Sequence, residues 1–385
     1  MITITTTEAL AAFCERAAAK PYVTVDTEFL RERTYYSKLC LIQLALPGDA
    51  PEDAVLVDPI LGEEMDLAPL YALFRNEAVV KVFHAARQDL EIFFVEGGVI
   101  PHPLFDTQVA AMVCGFGEQV GYETLVRKLA KAQVDKTSRF TDWSRRPLSE
   151  AQKAYALADV THLRTVYEAL EKSLRKSKRQ HWVEEEMALL TDPGTYVTRP
   201  EEAWLKVRTR TGSARFLAIV RELARFRESY AQTRNVPRSR VLKDDALLEV
   251  ASLKPADTED LGKARLLLRE ARKGEVAEGI LAAVRSGIEA PQESLPKPPP
   301  GEQLQVNPAL ADLLRVLLKA KAESAGVASK LIATASDLDA LAAGKRDLPA
   351  LQGWRAEVFG DDAVRLCQGK LALAADGANV RVITL

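Results

Sequence analysis

The chain has 385 residues, 47% of them apolar, and is long enough for two or three domains that each bury a core. Its 52 basic and 54 acidic residues give a net charge of -2, which excludes any argument for nucleic-acid binding from global charge alone. The four cysteines are scattered without a CxxC pair, as is typical of reduced, structural thiols. No segment has the length or the pattern of a membrane span or a secretory signal, so we expect a cytoplasmic protein, monomeric and without membrane contact.

The first hundred residues are predicted to alternate between strands and helices. The opening segment "TEALAAFCERAAAK" has helical spacing, with Thr7 as its expected N-cap. Three consecutive strands followed by strand-helix alternation predict an α/β fold, a mixed sheet covered by helices. In chain order the later segments are strands at "YVTVDTEF", "LCLIQLAL" and "AVLVD", a helix at "LAPLYALFRN", a strand at "AVVKVFHA" and a helix at "ARQDLEIFFVEGG".

Beyond Phe105 the strand signal nearly disappears, so the first domain is expected to end as a helical layer. Two units follow that look like copies of one small all-helical module, each with a long amphipathic helix, a turn and a short helix. Residues 291–308 contain six of the 19 prolines, which predicts a semi-extended linker between the two units. The predicted limits are 1–195 for the first domain, 204–288 for the first helical unit, 289–305 for the linker and 306–380 for the second helical unit.

Two acids stand one residue apart at the end of the first long predicted strand. Because residues i and i+2 of a strand share a face, Asp26 and Glu28 should point to the same side and repel each other unless a cation lies between them. A divalent cation between the two carboxylates would offset this repulsion. The alternative interpretation is a pair of ordinary polar residues at a strand end.

Three further residues are candidates for the same metal-dependent chemistry. Asp89 lies beside the apolar stripe of its predicted helix, where a half-buried acid needs a partner. Tyr155 and Asp159 are four residues apart, so the phenol and the carboxylate share one helical face. A routine pair on a helix surface is the alternative for these two residues.

Five segments, in order and spacing, resemble the motifs of the DEDD superfamily of 3′–5′ exonucleases in its tyrosine-bearing branch, and within it the bacterial ribonuclease D family. They are "VDTEF", "RERTYYSKLCLIQLA", "VFHAARQDL", "FDTQVA" and "YALADV". The two helical units are similar to the paired HRDC domains of that family. The resemblance implies a ribonuclease H-like sheet and two divalent ions, Mg²⁺ or Mn²⁺, with Tyr155 orienting the attacking water. The carboxylates that it implies as metal ligands are Asp26, Glu28, Asp89 and Asp159.

Contacts with nucleic acid are expected from a local charge imbalance. Between Trp204 and Arg240 there are ten basic residues and two acids, a local charge of +8. Phe29, beside the acids, could stack on a terminal base, although a core phenylalanine is an equally good interpretation. The arginines proposed to contact phosphates are Arg208, Arg210 and Arg215, with a solvated helix face as the alternative.

The resemblance implies a 3′-to-5′ exoribonuclease that trims structured RNA, such as precursor tRNA, and releases nucleoside 5′-monophosphates. A DNA 3′–5′ exonuclease is the first alternative, because the fold and the carboxylates do not distinguish the two sugars. A non-catalytic nucleic-acid-binding scaffold is the second, but the complete set of four acids and a tyrosine disfavours it. A small-molecule phosphatase predicts a different pattern around its acidic motif, and "VDTEFL" does not match it.

Overall fold

The computed structural model divides into two units, which are described separately. One unit comprises Met1–Glu28, Leu39–Thr195 and Gln303–Leu385, and the other comprises Phe29–Lys38 and Tyr196–Glu302. The structure describes residues 1–62, 64–135, 137–138, 141–209, 213–296 and 305–385, so residues 297–304 of the proline-rich segment lie outside it. No helix in these ranges is both long enough and apolar enough to cross a membrane.

The first unit is built on a six-stranded mixed sheet with the order β1-β4-β3-β2-β5-β6. β1 pairs in parallel with β4, β4 antiparallel with β3, and the β2, β5 and β6 series is parallel. β3 is buried after its first residue and β2 is buried in its first half, as expected of central strands with both faces covered, whereas the end of β2 is half-buried. The strands are β1 Ile2–Ile4, β2 Tyr22–Leu30, β3 Lys38–Ala45, β4 Ala54–Val57, β5 Val80–Phe83 and β6 Leu104–Asp106.

Seven α-helices among the described residues accompany this sheet. The first begins one residue earlier than predicted: Thr6, not Thr7, is the N-cap, and its hydroxyl accepts a hydrogen bond from the amide of Ala9 at 3.3 Å. The Thr7 hydroxyl is engaged elsewhere, because it accepts from the amide of Asp66 at 2.8 Å. The helices are α1 Thr7–Ala18, α2 Ala68–Arg75, α3 Arg87–Gly97, α4 Thr107–Val113, α5 Tyr122–Leu125, α6 Glu150–Ser177 and α7 Gln180–Leu190.

The long helix α6 is fixed along strand β2 by polar contacts in an otherwise apolar interface. The buried Thr24 hydroxyl donates to the carbonyl of Val160 at 2.8 Å. Nearer the start of the strand, the Tyr22 hydroxyl donates to Glu168 at 2.5 Å. These two hydrogen bonds set the register of α6 against β2. They therefore determine where the side chains of α6 lie relative to the end of β2.

The C-terminal part of the same unit contains the predicted helices and one element that sequence analysis missed. Residues 371–384 form an antiparallel hairpin, so the end of the predicted second helical unit, residues 306–380, is not helical as predicted. A turn signal was present, because Asp376-Gly377 lies between two alternating apolar segments and Gly377 has a φ of 61°. The elements are α13 Pro308–Ala325, α14 Ser329–Ile332, α15 Ala335–Ala342, α16 Gly353–Arg355, α17 Asp361–Cys367, β7 Leu371–Asp376 and β8 Asn379–Thr384.

The unit formed by Phe29–Lys38 and Tyr196–Glu302 is helical, as predicted for residues 204–288. It is centred on its two longest helices, Ala214–Arg234 and Gly274–Glu289, which pack closely. A Cβ atom added at Gly287 would lie 2.5 Å from the Cα of Ile219, so glycine lets the two backbones approach. Leu223, Ile280 and Val284 are fully or almost fully buried between them. The helices are α8 Ala214–Arg234, α9 Arg238–Val241, α10 Asp244–Leu253, α11 Thr258–Leu261 and α12 Gly274–Glu289.

Candidate active site

Strand β2 and helix α3 bring the first three predicted acids close together. Asp26 and Glu28 are half-buried near the end of β2, and α3 follows β5, the neighbour of β2 in the sheet. Asp89, on the first turn of α3, is only 6% exposed. The Thr27 hydroxyl, between the two acids of β2, donates a hydrogen bond to Asp89. Thr27 therefore ties α3 to the strand, and sequence analysis did not single it out.

The electrostatics of these acids show that they lie in one site. The pKa of Asp26 is raised well above its usual range, first by burial and then by the negative charge of Asp159. Burial also raises the pKa of Asp89, and the charge of Asp26 adds to the effect, while the hydrogen bond from Thr27 opposes it. Asp26 thus feels acids from both α3 and α6. A cation placed among these carboxylates would favour their charged forms.

Helix α6 supplies the remaining two predicted residues. Asp159 is 9% exposed, so it is not part of a solvated helix surface. The pKa of the Tyr155 phenol is raised by burial, by the charges of Asp159, Glu28 and Asp26, and by a hydrogen bond with Asp159. The structure therefore brings all five predicted catalytic residues into one neighbourhood, drawn from β2, α3 and α6.

The donor set fits a divalent cation by its chemistry. Carboxylate oxygens are the ligands that Mg²⁺ and Mn²⁺ prefer. Burial and the charges of neighbouring acids raise the pKa values of Asp26 and Asp89, and a bound cation would oppose this effect. Across the described ranges, no three or more His, Cys, Asp or Glu side chains already have the arrangement of a metal site. The acids are neighbours in the structure, without forming a closed ligand cage.

Asp106 holds the turn that delivers Asp89, and sequence analysis did not assign it a role. Its carboxylate accepts hydrogen bonds from the amides of Ala85 at 3.0 Å, Ala86 at 2.9 Å and Gln108 at 2.8 Å. Ala85 has a φ of 58°, a left-handed conformation that costs free energy for a residue with a side chain. The buried Asp106 thus stabilises an unfavourable turn at the start of α3. The available signal was its place in "FDTQVA", directly before a helix.

A second unassigned residue, Tyr122, fixes the backbone beneath Asp159. Its hydroxyl donates to the carbonyls of Ala158 at 3.0 Å and Asp159 at 2.7 Å. The pKa of Tyr122 is raised well above its usual range by burial and by the charges of Asp159 and Asp26. The phenol therefore remains protonated and a donor. Sequence analysis used its segment only as evidence of a helix.

We expect Asp106→Asn to lower kcat by about tenfold, because the amide keeps one acceptor oxygen but cannot hold both Ala85 and Ala86, and Asp89 then loses its fixed position. The fold should persist, since asparagine is also a good N-cap for α4. The measurement is kcat together with the melting temperature. Asp192→Asn is the control, because Asp192 accepts from the amide of Gly194 in an exposed turn. A variant with wild-type kcat and a lowered melting temperature would contradict the positioning role.

The residues predicted to touch nucleic acid have different environments. Phe29 is half-buried in β2, and Arg208 is exposed. Arg210 lies outside the described residues. The guanidinium of Arg215 is engaged at the C-terminal end of α12, where it satisfies carbonyls that the helix leaves without partners. Its acceptors are the carbonyls of Gly287, Ile288 and Ala290, at 3.4, 2.8 and 2.6 Å.

Comparison with known families defines the class of protein. The 3′–5′ exonuclease domain matches residues 1–175, and the HRDC domain matches residues 216–284. The first match covers all five residues of the candidate active site, and the second covers most of the first helical unit. The chain is therefore a 3′–5′ exonuclease with an appended HRDC domain, and nucleases of this family depend on divalent metal ions.

Relatives that match almost the whole chain identify the family within this class of nucleases. The chain is 65% identical over 382 residues to ribonuclease D of Jannaschia sp. (strain CCS1), with 99% of each sequence covered. It is 51% identical to ribonuclease D of Acidiphilium cryptum, with 100% of this chain and 97% of that protein covered. The crystal structure of Escherichia coli RNase D, described as an exoribonuclease involved in structured RNA processing, superposes with a TM-score of 0.83 at 31% identity, covering 95% of this chain and 98% of the other. The chain belongs to the ribonuclease D family of 3′–5′ exoribonucleases.

Proposed function

We propose that this exoribonuclease trims the 3′ ends of structured RNA, with precursor tRNA as its substrate, and releases nucleoside 5′-monophosphates. The observation that supports the proposal is the gathering of Asp26, Asp89, Asp159 and Tyr155 from three separate elements into one half-buried, acidic site. A non-catalytic scaffold would not require acids to be held together at the cost of raised pKa values. The RNA named for the E. coli relative supports the choice of substrate.

Four carboxylates would hold two divalent ions, Mg²⁺ or Mn²⁺, in this site. When bound, such ions lower the pKa of a water molecule and stabilise the negative charge that develops on the leaving 3′ oxygen. The contribution of the chain is to hold the ligands. Thr27 and Asp106 orient Asp89. Thr24 of β2 and Tyr122 of α5 each donate a hydrogen bond to the backbone of α6. The ligands are Asp26, Glu28, Asp89 and Asp159.

Tyr155 is proposed to orient the attacking water as a hydrogen-bonding group. Burial and three neighbouring acids raise the pKa of its phenol, so the side chain keeps its proton at neutral pH. Its hydrogen bond with Asp159 fixes the direction of the phenol, and a water molecule between Tyr155 and the acids would be aligned by it.

We expect Tyr155→Phe to lower kcat by about 100-fold with little change in KM, because the lost hydrogen bond acts on the reacting water and not on the bound RNA. Tyr167→Phe is the matched control: Tyr167 is on the same helix, twelve residues or about 18 Å away, and its ring packs against Tyr22. Single-turnover and steady-state rates with one RNA distinguish the two parameters. An unchanged kcat would make Tyr155 a packing residue.

The substrate proposal is tested by incubating the purified protein with 3′-tailed tRNA and with single-stranded DNA of the same sequence, in Mg²⁺, Mn²⁺ or chelator. We expect nucleoside 5′-monophosphates from the RNA in either metal and none in chelator. Faster removal of nucleotides from the DNA would support the alternative of a DNA exonuclease. Tight binding of RNA without any product would support the scaffold alternative.

The second helical unit, residues 306–380, is also proposed to be HRDC-like, and the whole chain to act as a cytoplasmic monomer. The order of the helices supports the first part. In both units a long helix ends in a left-handed cap, at Asn235 or Gly326, and a four-residue helix begins three positions later. A further short helix begins three positions after that one ends, as α10 and as α15.

A further inference from the structure

Most of the basic side chains counted in the first helical unit contact carbonyl or carboxylate oxygens of the same unit. Arg215 binds helix-end carbonyls, as described above. Five other arginines form ion pairs, two of them within α8 and three between different helices of the unit. Lys206, Arg208 and Arg240 have no ion-pair partner among the residues that the structure describes. The paired arginines are Arg221 and Arg225 with Glu222, Arg227 with Asp244, Arg234 with Glu275 and Arg238 with Glu228.

One of these unpaired cations lies at a cavity of about 370 Å³ within the unit. Its charged lining is four basic and two acidic side chains, a net charge of +2. Lys206 is the last residue of the short 3₁₀ helix Pro200–Lys206, and Lys243 directly precedes α10. Both are exposed, and neither has an ion-pair partner in the described part of the chain. The remaining charged lining residues are Arg227, Arg238, Glu228 and Asp244.

The buried side of the cavity contains a further donor. Arg227 is 6% exposed, and its Nη1 atom donates to the carbonyl of Leu242 at 3.1 Å and to Asp244 at 2.5 Å. Its Nε atom has no hydrogen-bond partner in the described structure. A buried donor without a partner is uncommon, because it has lost its water without compensation. The cavity thus combines an excess of positive charge with an unsatisfied donor in its wall.

We propose that this cavity binds a phosphate group of the RNA substrate, with Lys206 and Lys243 as its contacts. The inference deepens the proposed function and depends on RNA being the substrate. The ion pairs of Arg227 and Arg238 hold the wall of the cavity in place. The attraction for the phosphate therefore comes from the two lysines without an ion-pair partner in the described residues. The volume admits a phosphate with its ribose, and the backbone would continue into solvent. The contact is independent of base identity, as expected for phosphate recognition.

The test measures binding of tRNA by protein carrying Asp26→Asn, at several salt concentrations, with Lys206→Gln and Lys243→Gln added singly and together. We expect about fivefold weaker binding for each substitution, and a salt dependence that becomes shallower by about one unit of slope for each lost contact. Lys254→Gln is the matched control, because Lys254 directly follows α10, about 16 Å from Lys243 by helical rise. It should leave both quantities unchanged.

Equal affinity and slope for the cavity variants and for Lys254→Gln would overturn the proposal. A second arm adds inorganic phosphate alone and measures the melting temperature. Stabilisation by phosphate that is lost in the lysine variants, without any change in RNA binding, would assign the cavity to free phosphate and would also overturn the RNA proposal. The proposed function fails separately, if the protein without Asp26→Asn releases no nucleotides from RNA.

A different set of contacts supports a second inference, about the segment that follows Glu28 in the chain. The hydroxyl of Tyr35 donates to Glu228 and accepts from Arg238 at 2.8 Å and from Gln232 at 3.2 Å. The guanidinium of Arg238 also lies 5.0 Å from the centre of the Tyr35 ring. Burial by itself raises the pKa of Glu228, but the hydrogen bonds from Arg238 and Tyr35 outweigh it, and the pKa is lowered. The carboxylate is therefore a charged, buried anchor.

The backbone of the same segment is also fixed. The side-chain oxygen of Asn235, at the end of α8, accepts from the amides of Tyr35 and Tyr36, both at 3.0 Å. Asn235 has a φ of 49°, which asparagine tolerates better than most residues. Residues 29–38 are thus held by the first helical unit through two separate groups. They connect β2, which carries Glu28, to β3.

We infer that Tyr35 is a positioning residue for catalysis, because it anchors residues 29–38, the segment that directly follows Glu28 in the chain. Tyr35→Phe keeps the ring and removes only the hydroxyl. We expect kcat to fall about tenfold with KM within twofold of wild type. Tyr230→Phe in the same unit is the control, since its ring packs on Phe226 at 5.8 Å. A purely structural role would lower the melting temperature and leave kcat unchanged, and that result, or an equal fall in Tyr230→Phe, would overturn the inference.

Discussion

Asp26→Asn should reduce hydrolysis of RNA at saturating Mg²⁺ by at least about 1000-fold, equivalent to about 4 kcal/mol of transition-state stabilisation. The amide keeps the shape of the side chain but loses the negative charge that a metal ligand needs here. Asp26 is central to the site, because its charge perturbs Asp89 and Tyr155 and it is itself perturbed by Asp159. The measurement is the rate of nucleotide release from 3′-tailed tRNA.

The stability of this variant should move in the other direction. The pKa of Asp26 is raised in the folded state, so its ionised form is less favourable there than in the unfolded chain, and removing the charge removes that cost at neutral pH. We therefore expect an equal or higher melting temperature in metal-free buffer. Asp66→Asn is the control, because Asp66 is exposed and accepts from the amide of Ala68. Near-wild-type hydrolysis by Asp26→Asn would refute the assignment of Asp26 as a ligand.

Arg355→Met is expected to lower the free energy of unfolding by about 3–5 kcal/mol, the largest effect on stability that we predict. Glu186 on α7 is 6% exposed, and Arg355 contacts it at 2.6 Å. The indole of Trp354 donates to the same oxygen at 3.0 Å, and its ring stacks on Trp182 at 4.7 Å. Burial raises the pKa of Glu186, and Arg355 is the main group that opposes this shift. Without Arg355 a buried carboxylate is left uncompensated.

Two further variants make this prediction specific. Glu186→Gln combined with Arg355→Met should recover most of the loss, since the buried charge is then absent. Lys330→Met is the matched control: Lys330 pairs with Glu118 at 2.8 Å, also between the nuclease part and the C-terminal helices, but both side chains are exposed. It should cost less than about 1 kcal/mol. Chemical denaturation measures all three, and equal losses for Arg355→Met and Lys330→Met would contradict the argument.

The contacts of Glu186 and Trp354 also show that two segments far apart in the chain belong to one unit. The Trp182–Trp354 stack and the Glu186–Arg355 pair join α7 to the C-terminal helices within one unit. Sequence analysis separated these segments by more than a hundred residues and a linker. Periodicity indicates where a helix has an apolar face, but it does not indicate which other face covers it. The limits of the domains accordingly stay a prediction.

Much of the candidate site could be predicted from local sequence alone. The alternation of β2 places Asp26 and Glu28 two residues apart, and the helical repeat of α6 places Tyr155 one turn from Asp159. Both patterns depend only on the geometry of a single element. The order of the motifs then indicated the family, which the full-length relatives confirmed. The fold class followed from the strand-helix alternation, with the C-terminal hairpin missed.

Only the tertiary structure decided how these elements meet. The parallel pairing of β2 with β5 brings Asp89 next to Asp26, and Asp106, from the next strand, stabilises the turn at Ala85 that the approach requires. Ion pairs likewise depend on the tertiary structure: the count of ten basic residues between Trp204 and Arg240 did not predict which of them pair with acids. The physical reason is that periodicity acts over a few residues, whereas strand register and buried hydrogen bonds join residues far apart in the chain, and their partners exist only once the chain has folded.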